Sequence, residues 1–209
     1  MSVATSREDR IQIIYKVVGR GTGAMSTWRS GQLVNLLGPL GNGWSHDRGL
    51  YPILLGGGVG IAPILFLHDK LLELGIGHHL VMGARDRTEH FLEHKPEHNI
   101  LLTTDDGSLG IKGTILAGLT EILRQKASDN VCIYGCGPHP MLEALQAYVA
   151  ERAIPCQIAS EEVMGCGIGI CQGCNVKVRT ATTESEIVSE SGYKLACVDG
   201  PIFWAHELA

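Results

Sequence analysis

The chain has 209 residues, of which 44% are hydrophobic and 19% charged, and this balance excludes a disordered, collagen-like or coiled-coil protein. The net charge is −5 and no run of Lys and Arg exceeds two residues, which argues against a nucleic-acid-binding protein. The chain has 27 glycines and only 5% aromatic residues. This composition favours sites where the backbone closely approaches a ligand, as it does around nucleotides and metal clusters. At roughly 150 residues per domain, the length predicts one or two domains, or three small ones.

The first region, residues 1–48, has strand-like patterns. Apolar runs at residues 11–18 and 33–37 are separated by Gly and Pro turns, which indicates a piece of all-β structure too short to close a β-domain alone. The first ten residues have no apolar core and so do not form a secretory signal. The seven cysteines then favour the reducing cytoplasm, where clustered thiols more often bind metal than form disulfides.

The second region, residues 49–160, alternates short apolar runs with helical patterns, which predicts an α/β fold with a doubly wound parallel sheet. The uncharged stretch at residues 50–67 is long enough to consider a membrane span. Its four glycines and two prolines instead indicate a buried strand, a loop and a helix start. The expected strands cover residues 51–55, 79–82, 100–103, 131–134 and 156–159. One expected helix begins at Pro63, and two others cover residues 113–126 and 140–152.

The third region, residues 161–209, contains a cysteine motif. Cys166, Cys171 and Cys174 have the spacing C-x4-C-x2-C, and Cys197 follows after 22 residues, which is the plant-type pattern of a [2Fe–2S] centre. Structural zinc would favour two short C-x2-C pairs, and only one is present, while buried free cysteines are the remaining alternative. Three thiolates from one loop require a tight backbone, and we expect positive φ angles at Gly165, Gly167, Gly169 and Gly173. The residues between 180 and 191 are expected to form a surface loop.

The glycine-rich segment at residues 56–60 follows a predicted strand and opens a predicted helix. Gly57, Gly58 and Gly60 could lay backbone amides and a helix N-terminus against a pyrophosphate. The segment lacks the G-x-G-x-x-G fingerprint, and a tight turn without a ligand is the alternative.

Three further turns follow predicted parallel strands, whose carboxyl ends gather ligands in such sheets. The turn at residues 83–85 places Arg85 near a bound ribose or phosphate, and the turn at residues 135–138 contains Cys136, Gly137 and Pro138. Residues 104–108 form either a ligand-binding loop or an ordinary Asp-Gly turn. Cys132 and Cys156 lie in predicted core strands, where free cysteine acts as a small apolar residue.

His90, His94 and His98 are spaced four residues apart, as metal ligands on one helix would be. Pro96 interrupts that helix, so we favour a solvated polar face over a metal site.

The order of these motifs resembles the ferredoxin-reductase superfamily, and more closely the electron-transfer subunits of type B dihydroorotate dehydrogenase. The similar segments are residues 15–22, 37–43, 56–63, 104–108, 136–141 and 166–174. The resemblance implies a ferredoxin-reductase-type NAD domain at residues 49–160, preceded by part of an antiparallel FAD-binding β-barrel at residues 1–48. A small [2Fe–2S] domain would follow at residues 161–209.

The resemblance also implies site residues. Ile14, Tyr15 and Lys16 would line the flavin, Gly21 and Thr22 would hold its pyrophosphate, and Cys136 would pack near the nicotinamide. Ser2 matches the end of the family's flavin motif Arg-Pro-x-Ser, whose Arg-Pro is absent. We therefore expect that the sequence starts at an internal methionine of a longer protein, or that a short form binds FAD weakly or through a partner.

The function implied by the resemblance is electron transfer between NAD(H) and a partner through FAD and the cluster. The partner would be an FMN-containing catalytic subunit, in a heterotetramer, that oxidises dihydroorotate to orotate in pyrimidine biosynthesis. This chain would not turn over dihydroorotate alone. The alternatives are a subunit of another oxidoreductase (sulfite reductase, hydrogenase or ferredoxin–NAD(P) reductase type) and a flavin-free cluster-binding remnant. Arg85 could suit the 2′-phosphate of NADPH, whereas the resemblance favours NADH.

Overall fold

The computed structural model describes residues 1–46, 49–126, 130–179 and 191–209. Eleven strands and four α-helices are assigned within these ranges. The strands are β1 (Val3–Arg7), β2 (Arg10–Ile13), β3 (Tyr51–Gly57), β4 (His79–Ala84), β5 (Ile100–Thr104), β6 (Ile111–Lys112), β7 (Val131–Cys136), β8 (Cys156–Ala159), β9 (Asn175–Arg179), β10 (Ser191–Leu195) and β11 (Ile202–Trp204). The helices are α1 (Arg20–Met25), α2 (Ile61–Glu73), α3 (Ile115–Gln125) and α4 (His139–Ala150).

Seven strands form one sheet in the order β11-β8-β7-β3-β4-β5-β6. All neighbours pair in parallel except β11, which is antiparallel to β8. The predicted mostly parallel α/β sheet is therefore confirmed. Its β11 edge comes from the region that the sequence assigned to the cluster domain.

Helices cover both faces of this sheet, which explains why its central strands are apolar on both sides. Helix α2 packs on one face, and α3 and α4 pack on the other. The inward positions recur at helical spacing. They are Ile61, Ile64, Leu67 and Leu71 of α2, Ile115, Leu119 and Ile122 of α3, and Leu142, Leu145 and Val149 of α4.

The uncharged stretch at residues 50–67 contains strand β3, a short 3₁₀ turn and the start of α2. This agrees with the interpretation of a strand, a loop and a helix start. Among the described residues, no helix combines the length and the apolar character that crossing a bilayer requires.

The N-terminal region differs from expectation. Strands β1 and β2 form a hairpin that ends at Ile13, whereas residues 14–18 and 33–37 are not strands. Their apolar pattern fits a strand, but a strand also needs a neighbour for its backbone groups, and the described part of the chain supplies none beside them. The hairpin is attached to α2, because Thr5 Oγ1 donates a hydrogen bond to Asp69 Oδ2 at 2.5 Å.

The carboxyl ends of β3 and β7 lie side by side at the point where the strand order reverses, and this switch point is here called the crevice. From β3 the chain proceeds to β4 and β5 on one side, and β7 and β8 lie on the other. At this point the turn after β3 packs directly on the turn after β7. A Cβ added to Gly60 would lie 2.5 Å from both the Cys136 oxygen and the Gly137 nitrogen. Only glycine allows the two backbones to approach this closely.

Gly60→Ala should therefore lower the free energy of unfolding by about 1–3 kcal/mol, the usual cost of overpacking, because backbone atoms cannot move aside. The matched control is Gly77→Ala, whose new Cβ would lie 3.8 Å from the nearest atom, on Tyr51. Urea denaturation of both variants measures the difference. Equal unfolding midpoints would contradict the close approach.

Three histidines lie near the opposite, amino-terminal ends of β3 and β4. His68 Nδ1 is 2.7 Å from His78 Nε2, and His79 Nδ1 is 2.9 Å from Tyr51 Oη. Burial, helped by the charges of Lys126 and His78, lowers the pKa of His79 to about 4. Burial lowers the pKa of His68 and His78 as well. The folded chain therefore resists protonation at this end of the sheet.

The free energy of unfolding should decrease as the pH falls from about 6.5 towards 4, because in this window the unfolded chain binds protons that the folded chain does not. His79 is only partly buried, so its share at pH 5 is discounted for solvent screening to about 1 kcal/mol. In urea titrations, the free energy of unfolding of His79→Gln should decrease less between pH 7 and pH 5 than that of the parent. His98 is exposed, so His98→Gln should show the same decrease as the parent. An equal decrease in the two variants would refute the role of His79.

Candidate functional site

The crevice brings together five of the residues singled out as nucleotide ligands. Gly57 and Gly60 lie on one side, and Cys136, Gly137 and Pro138 lie on the other. A Cβ on Gly57 would lie 3.2 Å from Pro138 Cδ, so the two turns are also in contact there. Helices α2 and α4 both begin at this point. Two helix N-termini at a topological switch point form a place where a pyrophosphate is stabilised.

Gly58 has a different environment. Its φ is +53°, in the left-handed region that favours glycine, and a Cβ there would meet no atom within 4 Å. The residue therefore faces open space just before the start of α2. Room of this kind is what a bound nucleotide would need.

Cys136 places a thiol at the crevice. Burial, with a smaller contribution from Glu161, raises its pKa to about 12. The side chain therefore stays protonated near neutral pH and cannot act as a thiolate nucleophile. This agrees with a packing role.

Arg85 follows β4 and is held by a residue that the sequence analysis missed. The Glu89 carboxylate accepts hydrogen bonds from the Arg85 backbone N at 3.1 Å and from Nε at 2.8 Å, and it forms an ion pair with Nη2. Hydrogen bonds from Arg85, with a smaller effect of the Lys16 charge, lower the pKa of Glu89. Lys16, expected at the flavin, therefore lies near the Arg85–Glu89 pair. The spacing of four residues was the available signal for this pair.

The loop at residues 104–108 is an Asp-Gly turn. Asp106 Oδ1 accepts hydrogen bonds from the Ser108 backbone N at 2.9 Å and from its Oγ at 2.7 Å, and Gly107 has a φ of +79°. These contacts account for the polar residues of the loop without a ligand.

The histidines spaced by four residues do not form the solvated face that we favoured. His90 Nε2 lies 2.9 Å from the Thr103 oxygen, and His94 Nδ1 accepts a hydrogen bond from the Leu102 N–H at 2.9 Å. Both rings are partly buried and bind the backbone of β5, whereas His98 is exposed. Helical spacing misled here because the segment folds as irregular turns against the sheet.

The residues expected at the flavin lie on the N-terminal segment. Because Val3 pairs with Ile13, Ser2 and the segment Ile14–Tyr15 leave the same end of the β1–β2 hairpin. Ile14 packs against the core on the α2 face of the sheet. The structure thus places Ser2 near Ile14, at one end of the hairpin.

Gly21 and Thr22 lie in the short helix α1. Thr22 Oγ1 accepts hydrogen bonds from the backbone N–H groups of Val18 at 3.0 Å and Gly19 at 3.2 Å. A Cβ on Gly21 would meet no atom within 4 Å. The turn is therefore held by its own contacts and leaves space at Gly21.

The four cysteines of the motif interact as two pairs. Strands β9 and β10 form a hairpin in which Asn175 pairs with Leu195, and the Ala196 N–H donates to the Cys174 oxygen at 2.9 Å. This register brings Cys174 and Cys197 together at one end of the hairpin. Both are buried, and hydrogen bonding with the Cys174 thiol raises the pKa of Cys197.

The second pair is Cys166 and Cys171. The Cys171 N–H donates to Cys166 Sγ at 3.4 Å. This hydrogen bond, together with the N–H of Ile168 and the Cys171 side chain, lowers the pKa of Cys166 to about 6. Cys166 and Cys197 also interact electrostatically, so the two pairs are neighbours. Backbone donors directed at sulfur favour the thiolate form that binds iron.

The backbone of the cysteine loop departs from expectation at two glycines. Gly167 and Gly169 have positive φ angles of 75° and 81°, but Gly165 and Gly173 do not, and Gln172 has a φ of 56° instead. A Cβ on Gly165 or Gly173 would lie 3.3 or 3.5 Å from Cys171 Sγ. These two glycines therefore leave room for the thiol rather than supplying a left-handed turn. The segment at residues 180–190, expected to be a surface loop, lies outside the described residues.

Within the described ranges, no three side chains of His, Cys, Asp or Glu are arranged to hold one metal ion. Tetrahedral zinc would need four ligands around a single ion. A [2Fe–2S] centre is held by four cysteines divided between two irons, and two neighbouring pairs of thiols are the arrangement that it needs.

Comparison with known proteins shows similarity over nearly the whole chain. The iron–sulfur cluster binding domain of dihydroorotate dehydrogenase B matches residues 161–209. The chain is 38% identical over 209 residues to the electron transfer subunit of NAD(+)-dependent dihydroorotate dehydrogenase B of Caldanaerobacter subterraneus subsp. tengcongensis, covering 99% of this chain and 78% of that one. The corresponding subunit of Geobacillus sp. (strain WCH70) is 35% identical over 94% of this chain and 73% of its own length.

A solved structure shows a similar fold. It is that of the NADH-dependent reduced ferredoxin–NADP oxidoreductase, described in a study of flavin-based electron bifurcation, with a TM-score of 0.75 and 29% identity over 93% of this chain and 67% of that chain. The resemblance drawn from the motifs is thus confirmed. By its identity to relatives that it covers over more than two thirds of their length, the chain belongs to the family of electron-transfer subunits of NAD(+)-dependent dihydroorotate dehydrogenase B, an oxidoreductase.

Proposed function

We propose that this chain carries electrons between NAD(H) and a partner catalytic subunit through FAD and a [2Fe–2S] cluster, in the oxidation of dihydroorotate to orotate. The observation that supports this most directly is the meeting of Cys166, Cys171, Cys174 and Cys197 as two neighbouring pairs of thiols. Family membership supports the reaction and the partner. When bound, the nicotinamide exchanges two electrons at once, the flavin exchanges two or one, and the cluster exchanges one.

The cysteine pairs fit the cluster. Cys166 and Cys171 would bind one iron, and Cys174 and Cys197 the other. Thiolates must be deprotonated to ligate iron, and the backbone N–H groups around Cys166 already favour that form. Those N–H groups also stabilise negative charge on the sulfurs, which raises the reduction potential of an iron–sulfur centre.

The crevice fits a pyridine dinucleotide. Gly57, Gly58 and Gly60 would receive its pyrophosphate at the start of α2, and Cys136, Gly137 and Pro138 would pack near its nicotinamide. Arg85 is neutralised by Glu89, and a neutralised guanidinium attracts a 2′-phosphate less than a free one does. This pairing favours NADH over NADPH.

The N-terminal segment would hold FAD. Ser2, Ile14, Tyr15 and Lys16 would line the flavin, and Gly21 and Thr22 would hold its pyrophosphate. In this assignment residues 1–48 are part of an FAD-binding β-barrel, residues 49–160 a ferredoxin-reductase-type NAD domain with a doubly wound sheet, and residues 161–209 the cluster domain. The positive charge of Lys16 acts on Glu89, so the proposed flavin region and the proposed nucleotide region interact electrostatically.

The partner would be an FMN-containing catalytic subunit, joined to this chain in a heterotetramer in the cytoplasm. Relatives of this chain are electron transfer subunits, whose name implies a separate catalytic subunit. The described residues leave apolar side chains exposed around the cysteine loop, including Val163, Met164, Ile168 and Ile170. Such a surface is suited to contact with another protein.

Substitution of the motif cysteines tests the cluster assignment. After anaerobic reconstitution with iron and sulfide, Cys171→Ser and Cys197→Ser should bind less than about a tenth of the parent's [2Fe–2S] content, because loss of a ligand typically weakens metal affinity by orders of magnitude. Visible absorption and electron paramagnetic resonance measure the content. Cys156→Ala is the control, since Cys156 is buried in β8 and should leave the spectrum unchanged. Full cluster content in Cys171→Ser would reject the assignment.

Electron transfer is tested with the purified chain and the catalytic subunit. The chain with FAD and cluster should reduce a dye with NADH, should not oxidise dihydroorotate alone, and should couple dihydroorotate to NAD⁺ only when the catalytic subunit is added. A cluster spectrum without flavin and without NADH-dependent dye reduction would instead indicate a flavin-free remnant. Copurification with a sulfite reductase or hydrogenase subunit would indicate another oxidoreductase of the superfamily.

A further inference from the structure

The loop at residues 38–43 lies against the turn that carries Cys197, although more than 150 residues separate them in the sequence. Asn42 makes three hydrogen bonds in this contact. Its backbone N–H donates to the Gly200 oxygen at 2.5 Å, and its side-chain Nδ2 donates to the Val198 oxygen at 3.2 Å and the Asp199 oxygen at 3.0 Å. One residue thus holds three consecutive carbonyl groups that directly follow Cys197.

The Cys197 turn uses its other backbone groups internally. The N–H groups of Val198 and Asp199 donate to the Leu195 oxygen at 3.1 and 2.7 Å, and Asp199 Oδ2 accepts from the Leu195 N–H at 2.7 Å. These contacts use N–H groups of the turn. The oxygens of residues 198–200 accept their hydrogen bonds from Asn42.

Close packing of the two residues before Asn42 supports this contact. A Cβ on Gly41, whose φ is +68°, would overlap the Gly200 oxygen and lie 2.9 Å from Pro201 Cδ. The preceding residue packs on the cysteine loop, because a Cβ on Gly167 would lie 2.8 Å from Leu40 Cδ1. The loop therefore touches both the turn with Cys197 and the loop with the other three cysteines.

We propose that Asn42 is a positioning residue for the cluster, which holds the fourth ligand, Cys197, at a fixed distance from the other three thiols. The inference rests on the proposed ligand set. The Asn42 amide fixes the direction of the carbonyls after Cys197, and with it the backbone that sets the Cys197 side chain. The three other cysteines lie in one short loop, whereas 22 residues separate Cys197 from Cys174. The position of Cys197 therefore depends more on contacts with distant parts of the chain than the positions of the other three do.

The test compares Asn42→Ala, Asn42→Ser and Asn42→Asp with the parent, using the full chain reconstituted anaerobically with iron and sulfide. Loss of the amide donors in Asn42→Ala should speed iron release to a chelator about ten-fold, as expected for the loss of two hydrogen bonds of ordinary strength. Asn42→Ser keeps one short donor and should fall between Asn42→Ala and the parent. Iron release is followed by the decay of visible absorption.

A second readout separates positioning from general stability. The carboxylate of Asn42→Asp cannot donate and adds negative charge near the cluster, so the midpoint potential should move to a more negative value than in Asn42→Ala. Redox titration followed by paramagnetic resonance measures this. Asn35→Ala is the matched control, because Asn35 is exposed and lies in the same region of the chain. It should leave both measurements at the parent's values.

The proposal is overturned if iron release and potential in Asn42→Ala and Asn42→Asp equal those of the parent, or if Asn35→Ala changes them equally. It is also overturned if the variants lower only the unfolding temperature of the sheet and leave iron release and the midpoint potential unchanged. Circular dichroism measures the unfolding temperature. Cys197→Ser separates the two levels of the argument. A normal cluster in Cys197→Ser rejects the ligand set, whereas loss of the cluster there with parent-like Asn42 variants rejects only the role of Asn42.

Discussion

The pairing of β9 with β10 is the constraint on which the cysteine site depends. Asn175 pairs with Leu195 at one end of this hairpin. Cys174 precedes Asn175 and Cys197 follows Leu195 by two residues, so the pairing brings the two cysteines together although they are far apart in the sequence. A register shift of one residue would turn every side chain of β10 to the opposite face and move Cys197 away from Cys174. Val176 and Val178 on β9 are buried while their neighbours Asn175, Lys177 and Arg179 are exposed, and this alternation fixes the register.

The same kind of constraint operates at the crevice. The parallel pairing of β3 with β7 places Gly56 opposite Cys136, so the turns that follow these strands must meet. Gly60 must be glycine because a Cβ there would overlap the backbone of Cys136 and Gly137. The N-terminal segment contacts the Cys197 turn through Asn42, and it contacts helix α2 through Thr5, which donates to Asp69. Three stretches of sequence thereby form one connected framework.

The sequence predicts those parts of the structure that local patterns determine. The strands and helices between residues 49 and 160, the glycine turns and the cysteine spacing are all set by side chains close together in the chain. Contacts between distant segments leave no such pattern. Asn42 lies between two glycines, but this local pattern does not identify the carbonyls beside Cys197 as its partners. The interaction of His90 and His94 with β5 likewise depends on how an irregular segment folds back. The apolar run at residues 33–37 was misread because a strand is defined by its neighbour as well as by its own residues.

The antiparallel strand β11 has a consequence for how the sheet ends. Ile202, Phe203 and Trp204 occupy the open edge of β8, and the opposite edge is β6, which is only two residues long. An unpaired parallel strand offers a row of free N–H and C=O groups that invites strands from other molecules, and short or covered edges prevent this. The last residues of the chain therefore protect the protein from self-association through its sheet, in addition to joining the cysteine region to it.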